Sequence, residues 1–397
     1  MGRSGALFIG AGGYIATAVI SGALALKKGL CAPVGMVTGL DGFAGLDLAA
    51  PEDIAFGGWE IRRSAPIENA RNFFRGVQLP FDILPEIGPE LTELQADIYE
   101  GVATNCGRAI EALAPALPAA PLKEQVRRLR ADIRDFKKRN GVDTAVVVNL
   151  ASTEPLLEMK PCHDTLKGFE QCIDGNRADD VRAGSLYAFA AILEGCPYIN
   201  FTPSNSPLVP ALVGLAGAEG VPVMGSDGKT GETLVKSALI PMFTARNLEV
   251  LSWEGFNILG NMDGMVLDDP ENKESKLMTK DRLLGKALGY SPHSGVHIHY
   301  VPSLDDQKTA WNFIHFRGFL GAKMSLQFIW QGYDSILAAP LVIDLVRLSL
   351  YAKDRGEAGL MPHLASFFKA PLGVAEHRLG EQFAMLVDYC NARSKKR

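Results

Sequence analysis

Basic residues do not predominate in this chain of 397 residues: 40 lysines and arginines stand against 45 aspartates and glutamates, a formal net charge of -5. That balance gives no general electrostatic drive toward nucleic acid or acidic lipid, and no arginine-rich tract with interleaved aromatics offsets it. Cysteine is scarce and unpatterned. Cys31, Cys106, Cys162, Cys172, Cys196 and Cys390 form no CxxC and no paired metal spacing, so neither a disulfide framework nor a zinc site is expected, and reduced thiols in the cytoplasm fit best. A GxSxG elbow and an HExxH helix are both absent, which removes the hydrolase chemistries that depend on them. His297 and His299 would share one face of a strand, but no third ligand stands near them in sequence, and a packed or surface strand is the expectation. The basic end Ser394-Lys395-Lys396-Arg397 reads as solvated.

What the chain has is apolar material: 47% hydrophobic residues over this length supply large cores and suggest two domains. The stretch Ala6 to Leu26 is almost uninterrupted small and apolar residues before Lys27-Lys28, and superficially resembles a membrane span or signal peptide. Gly10, Gly12 and Gly13 argue otherwise, because they sit where an apolar strand ends and an alanine-rich helix begins. A buried first βα unit explains the same hydrophobicity, and no membrane role is expected.

Strand-like and helical runs alternate through the first half: Ala6–Ile9, the helix near Ala16–Lys27, Val34–Leu40, the charged helix Leu122–Asn140 and Thr144–Val148. Residues Ile67 to Ala114 read as helices punctuated by Pro80, Pro85 and Pro89. The alternation resumes with a helix at Leu186–Gly195, a strand at Pro197–Phe201, a helix at Leu208–Glu219 and a strand at Val221–Met224. This rhythm predicts a parallel sheet. From Leu234 to about Ile336 the texture changes to longer β-prone stretches, including Val296–Val301 and Met324–Trp330. After Pro340 apolar helical periodicity returns.

Three stretches offer chemistry. In Gly10-Ala11-Gly12-Gly13-Tyr14-Ile15-Ala16 the missing β-carbons let backbone amides approach a pyrophosphate at a helix start, and Asp41 or Glu60 would serve the adenosine ribose. Gly225-Ser226-Asp227-Gly228-Lys229-Thr230-Gly231-Glu232-Thr233 is a small polar loop between strand and helix. It fails as a nucleotide-triphosphate loop because position 223 is valine, leaving a sugar-phosphate cradle or an ordinary N-cap by Thr230. The polar run Asn257 through Lys280 holds Asn257, Asn261, Asp263, Lys273, Lys276 and Lys280; such a run is as readily a solvated face as a site. Lys308 follows Asp305-Asp306, and Lys369 stands among phenylalanines, where desolvation would lower its pKa and suit proton transfer.

Taken in order, several segments resemble the inositol-phosphate synthase family: the glycine turn, Gly57-Gly58-Trp59-Glu60, Ile133-Arg134-Asp135-Phe136-Lys137, Ala151-Ser152-Thr153-Glu154 and Leu193 through Asn200. The loop from Gly225, Leu259 through Gly264, Ser275-Lys276 with Lys280, Asp334 through Pro340, and Lys369-Ala370-Pro371-Leu372 complete the match. The resemblance implies an α/β protein, with a Rossmann-type NAD-binding domain from residues 1–233 and 337–397 and an inserted α+β catalytic and tetramerisation domain from residues 234–336. It implies NAD as cofactor, contacted by Gly10, Gly12, Gly13, Tyr14, Ile15, Glu60, Ala151, Ser152, Thr202, Asp227, Thr230 and Asp334, with Glu60 in place of the family's usual aspartate. Thr230, Gly231, Glu232, Thr233, Leu259, Asn261 and Lys280 would surround the sugar phosphate. Glu232 replaces a typical glutamine, so either its backbone amide alone serves the phosphate or its side chain turns away toward a lysine such as Lys229. Met262 replaces a common asparagine.

The activity so implied turns D-glucose 6-phosphate into 1L-myo-inositol 1-phosphate, for inositol and phospholipid biosynthesis. C5 is oxidised, a proton leaves C6, the carbanion attacks the C1 aldehyde and C5 is reduced again. Oxyanions form along that route, and Lys276, Lys308 and Lys369 would stabilise them, with Asp306 orienting Lys308 and with Asn257 and Asp263 nearby. A monovalent or divalent cation accompanies some members of the family, the segment Asp268–Arg282 would close over the site, and a cytoplasmic homotetramer is expected. Two other readings remain at this point: an NAD-dependent dehydrogenase or isomerase of another sugar phosphate, and a noncatalytic dinucleotide-sensing protein.

Overall fold

The computed structural model describes every residue except 1, 81, 115–119, 267–283, 286 and 394–397, and the side chains of residues 262 and 263 are also outside the description. Seven parallel strands form the larger sheet: β1 Ser4–Ile9, β2 Ile54–Glu60, β3 Ile98–Glu100, β4 Thr144–Asn149, β5 Tyr198–Asn200, β6 Pro222–Gly225 and, after an excursion, β11 Gly359–Leu360. Their order is β11-β6-β5-β4-β1-β2-β3. The order reverses between β1 and β4, and the loops leaving those two strands therefore diverge to open a crevice at their carboxyl ends.

Both faces of this sheet are covered, which is why its strands read as continuous apolar runs. Alternation divides the side chains: Ala6, Phe8, Val146 and Val148 join one core with the helices Tyr14–Lys27 and Asp334–Asp354. Leu7, Ile9, Ala145 and Val147 join the other, packed by Leu129, Ile133 and Phe136 of the helix Leu122–Asn140 and by the helix Ala183–Leu193. The N-terminal apolar run is thus a buried strand followed by a 14-residue helix. Asp334–Asp354 is long and apolar enough to cross a bilayer, yet 72% of its most apolar window is buried against the rest of the chain.

Val34–Leu40 is not a strand. Gly35 lies at φ 88°, short 3₁₀ turns occupy Val37–Gly39 and Asp41–Phe43, and the amides of Val37 and Thr38 donate to the Asp344 carboxylate rather than to a neighbouring strand. The second strand is instead β2, whose Gly57-Gly58 pair lowers its apparent β-propensity. Gly58 is required there: at φ 151°, a Cβ would stand 2.1 Å from the Phe8 carbonyl oxygen of β1. The short β3 was likewise hidden inside the proline-punctuated region, and Pro89 lies within the helix Ile83–Glu93 instead of ending it. The last long helix starts at Asp334 and continues through Pro340.

A second sheet of four strands has the order β10-β9-β7-β8, with β7 Glu249–Leu259, β8 His293–Tyr300, β9 Gln307–Arg317 and β10 Lys323–Tyr333. β9 pairs antiparallel with β7 and β10, while β8 runs parallel to β7. The helix Gly231–Ala245 covers one face through Ile240 and Phe243, which pack on Val250, Trp253 and Ile314. The start of this helix and the end of β10 both return to the crevice of the first sheet.

Candidate active site

The glycine turn follows directly from β1. Gly10, at φ 81°, donates with Ala11 to the Trp59 carbonyl, and Gly13 donates back to Gly10, so the chain reverses into the helix Tyr14–Lys27. The first bond into that helix runs from Thr17 N–H to Gly13 O, which leaves the preceding amides at a helix N-terminus facing the crevice. Glu60, the last residue of β2, accepts from Gly12 N–H at 2.8 Å and forms a forked pair with Arg62, Nε and Nη2 each 3.0 Å from a carboxylate oxygen. Burial alone would raise the Glu60 carboxyl; the Arg62 fork and the Gly12 amide hold it below its usual value. A β-carbon at Gly12 would lie 2.5 Å from Glu60 Oε2 and displace that carboxylate from its present bonds. An acid at the end of the second strand beside a glycine turn suits the hydroxyls of an adenosine ribose, with the pyrophosphate over the turn, so these residues fit a dinucleotide. Asp41 lies in a 3₁₀ turn and is not part of the crevice lining.

From this turn a cleft of about 270 Å³ runs along the carboxyl ends of the strands. Each of the twelve residues expected around the cofactor lines it: Gly10, Gly12, Gly13, Tyr14, Ile15, Glu60, Ala151, Ser152, Thr202, Asp227, Thr230 and Asp334. The cleft continues to Leu259, Asn261, Asp306 and Lys369, which come from the second sheet, its loops and the C-terminal segment.

The loop after β6 is fixed by the chain near Lys369. Ser226, Lys229 and Gly225 exchange backbone bonds with Ala370, Phe367 and Leu372, and Lys369 N–H donates to Asp227 O at 2.6 Å. These bonds pair Asp227 with Lys369, and their side chains meet at 2.8 Å, with the ammonium donating to the carboxylate. On the other wall the Lys308 ammonium donates to Asp334 at 3.1 Å, and the Thr230 hydroxyl donates to the second oxygen of the same carboxylate at 3.3 Å. Thr230 occupies the N-cap position of the helix Gly231–Ala245 but makes no capping bond with its side chain. Its hydroxyl is used by Asp334 instead.

Four expectations need correction or placement. Asp306 does not orient Lys308: it accepts from Asn261 Nδ2 at 2.8 Å and from the Ser335 hydroxyl, and Asp334 holds the lysine, because Lys308 at the start of β9 pairs with Gly332 at the end of β10, directly before the helix that begins at Asp334. Glu232 does not reach Lys229. One helical turn on, Lys236 meets it at 3.0 Å in an almost fully buried pair, while Lys229 donates to Gln382. Asn257 is 1% exposed inside the second sheet, donating to the His297 carbonyl, and is not part of the cleft wall. Lys273, Lys276, Lys280 and the expected closing segment Asp268–Arg282 lie outside the described residues, and the Asp263 side chain lies outside them too.

Of the remaining phosphate candidates, Gly231 sits at φ 51° with no room for a β-carbon beside Asp334, and Thr233 is buried in the first helical turn. Burial raises the Asp306 carboxyl to about 6 against the bonds from Asn261 and Ser335. Burial, and then the charge of Lys369, lower Lys229 to about 8. Sequence reasoning missed Arg62, Ser335 in its pairing role, and Lys236. Arg62 was visible only as an arginine two residues beyond the ribose acid, and Lys236 only as a basic partner at i+4. His297 stacks on Phe256 and contacts Glu254. Among the described residues the one cluster with metal-ligand proximity is Cys162, Cys172 and Asp180, which is not part of the cleft wall.

Comparison with known proteins agrees with this geometry. A family model described as myo-inositol-1-phosphate synthase matches residues 4–390. The chain is 34% identical to inositol-3-phosphate synthase 1 of Bacteroides thetaiotaomicron, over 95% of this chain and 91% of that one. It is 31% identical to inositol-3-phosphate synthase of Dictyostelium discoideum, over 87% and 74% of the two chains. Among solved structures, inositol-3-phosphate synthase of Caenorhabditis elegans superposes with a TM-score of 0.88 at 25% identity, covering 98% of this chain and 86% of that chain. A myo-inositol-1-phosphate synthase-related protein from Thermotoga maritima gives 0.82 at 26% identity, with 99% of both chains covered.

Proposed function

This chain belongs to the myo-inositol-1-phosphate synthase family, and from that premise we propose that it converts D-glucose 6-phosphate to 1L-myo-inositol 1-phosphate using NAD held at the glycine turn. The observation that carries the reading is the continuity of the cleft, which joins the turn and Glu60 to Lys369 and to the Asp334 carboxylate that holds Lys308. A hydride carrier at one end and fixed ammonium groups at the other are what an oxidation, cyclisation and re-reduction in one pocket require.

NAD supplies the hydride acceptor for C5 and the hydride that later restores the alcohol. The chain does the rest. Glu60 receives the ribose, and the amides of Gly231 to Thr233 at the start of the helix face the sugar phosphate. Burial of Glu232 against Lys236 keeps a second negative charge away from that anion. Asp334 holds Lys308 and Asp227 holds Lys369, so their N–H donors are already aimed when charge develops on the C5 and C1 oxygens. A monovalent or divalent cation accompanying the reaction would meet on this wall the carboxylates of Asp306 and Asp334, which in the free protein accept from Asn261 and Ser335 and from Lys308 and Thr230. None of the six cysteines is in a disulfide, which suits a cytoplasmic setting.

Incubating the protein with glucose 6-phosphate and catalytic NAD is expected to give inositol phosphate by phosphorus and proton NMR, with no accumulation of NADH by its near-ultraviolet absorbance. Steady NADH formation without a cyclitol product would instead assign a simple dehydrogenase.

The same reading includes a homotetramer built through the second sheet. Its support is a row of side chains on the face away from the helix Gly231–Ala245. His297, Phe256, Trp311 and Ile329 stand in register on four adjacent strands, with Phe256 stacked between His297 and Trp311 and Ile329 66% exposed. Such a patch is the type of surface that assembly covers. Light scattering is expected to give a tetramer for the unaltered protein and smaller species for Trp311→Glu with Ile329→Glu; an unaltered mass for the double variant would remove this face from the interface.

A further inference from the structure

Cys162 and Cys172 belong to no sequence motif, yet the fold brings them together away from the cleft wall. Cys162 lies in the 3₁₀ turn Pro161–His163 and Cys172 in the helix Leu166–Asp174, and their sulfurs and an Asp180 carboxylate oxygen all lie within 4.8 Å of one another. Gly168 permits the approach. A β-carbon there would stand 2.9 Å from Cys162 Cα and 2.8 Å from its carbonyl oxygen, so the 3₁₀ turn rests directly on the helix, one helical turn before Cys172. The His163 ring joins the segment's two ends, accepting from Lys160 N–H at Nδ1, 2.9 Å away, and meeting the Asp180 carbonyl with Nε2 at 2.8 Å. These neighbours disfavour a metal ion. The Asp180 carboxylate already holds the Lys160 ammonium at 2.6 Å and the Arg177 guanidinium, whose charges would repel a dication, and His163 has both ring nitrogens engaged.

We infer that Cys162 and Cys172 are a thiol pair that hydroperoxides convert reversibly into a disulfide, with Cys162 as the attacking sulfur and Cys172 as the resolving one. Cys162 is half-buried and within reach of a small oxidant, whereas Cys172 is fully buried behind it. After release of its proton to water, the Cys162 thiolate attacks one peroxide oxygen. The O–O bond breaks, that oxygen stays on sulfur as a sulfenic acid, and the other takes up a proton and leaves as water or an alcohol. The Cys172 sulfur then attacks Cys162 Sγ: the S–S bond forms, the S–O bond breaks, and the Cys172 proton leaves with the hydroxyl as water. The two thiols lose two electrons and the peroxide gains them. Burial, and then the neighbouring Cys162, push the Cys172 thiol up to about 11, so it keeps its proton until the sulfenic acid has formed. In a reducing compartment the dithiol is the resting form, and exchange with a thiol reductant restores it. The inference is independent of the proposed activity.

The test exposes folded, fully reduced protein to a small excess of hydrogen peroxide at neutral pH, alkylates the remaining thiols and maps the peptides by mass spectrometry. A disulfide between Cys162 and Cys172 is expected, with two of the six thiols lost, both recovered by dithiothreitol, and the exposed Cys31 still alkylated. Cys172→Ala should stop at a Cys162 sulfenic acid that dimedone traps, and Cys162→Ser should yield neither product. Because the disulfide is mapped in the unaltered protein, the result holds even where a variant fails to fold. Oxidation of Cys31 that leaves Cys162 and Cys172 as thiols would overturn the inference. So would stoichiometric zinc that copurifies with the unaltered protein and is lost from both variants, since the cluster would then be a metal site.

Discussion

Lys369→Ala is expected to lower kcat by about 10²–10³, with the Kd for NAD changed by no more than a few fold, because in the proposed reaction the lost ammonium would stabilise charge that exists only during turnover. Lys308→Ala should behave alike. Both lysines are fixed before substrate arrives, by Asp227 and Asp334 respectively, and both carboxylates line the cofactor cleft. This preorganisation separates the two cations from ordinary surface lysines, whose removal leaves rates unaltered. Stopped assays of cyclitol formation, with NAD binding followed by fluorescence, check the prediction. A kcat within about threefold of the unaltered protein for either variant would remove that lysine from the chemistry.

Asp306→Asn carries the second large effect, with activity and stability moving in opposite directions. Burial raises the Asp306 carboxyl to about 6, although Asn261 and Ser335 donate to it. Activity that depends on the ionised form therefore rises through about pH 6, and the amide variant should abolish that limb and lower kcat by about 10², the lower end of what positioned acid–base groups contribute. Stability follows the reverse course. Below about pH 4 the carboxyl is protonated in folded and unfolded chains alike, and it adds no pH dependence. Between about 4 and 6 the unfolded chain ionises first, so rising pH disfavours the fold, and above about 6 the full penalty is present. Replacing the acid with its amide removes the penalty and reproduces the protonated bonding pattern, with Nδ2 donating to Ser335. A gain of roughly 1–3 kcal/mol at about pH 8, and none near pH 4, is the order expected from a shift of this size. Thermal melts at the two pH values, beside a pH–rate profile, measure both halves. A variant less stable than the unaltered protein at the higher pH would show that Asp306 contributes structure rather than strain.

Legibility in the sequence depended on how local the signal was. The helix Leu122–Asn140 was readable to the residue, since proline precedes it, Gly141 in the left-handed region ends it, and its buried positions recur at helical spacing. The glycine turn was equally plain, because only missing β-carbons permit that reversal. Val34–Leu40 misled for a corresponding reason: β-branched residues suggested a strand, yet the amides there are claimed by Asp344, about 300 positions away, and no local pattern announces such a partner. β2 was obscured by Gly58, which is present because the backbone of β1 comes too close for any side chain.

The candidate site divides along the same line. Residue types, order and spacing were enough to single out the glycine turn, the loop after β6, Lys308 and Lys369 as candidates, and the structure gathers them at one crevice, since each belongs to a short stretch of consecutive residues. Which carboxylate holds which lysine was beyond them. Asp334 rather than Asp306 reaches Lys308, Asp227 reaches Lys369, and Lys236 rather than Lys229 neutralises Glu232. An ion pair is chosen by distance and by the water excluded around it, and both quantities come into being only when β6, β9 and the C-terminal segment converge on the reversal of strand order in the larger sheet.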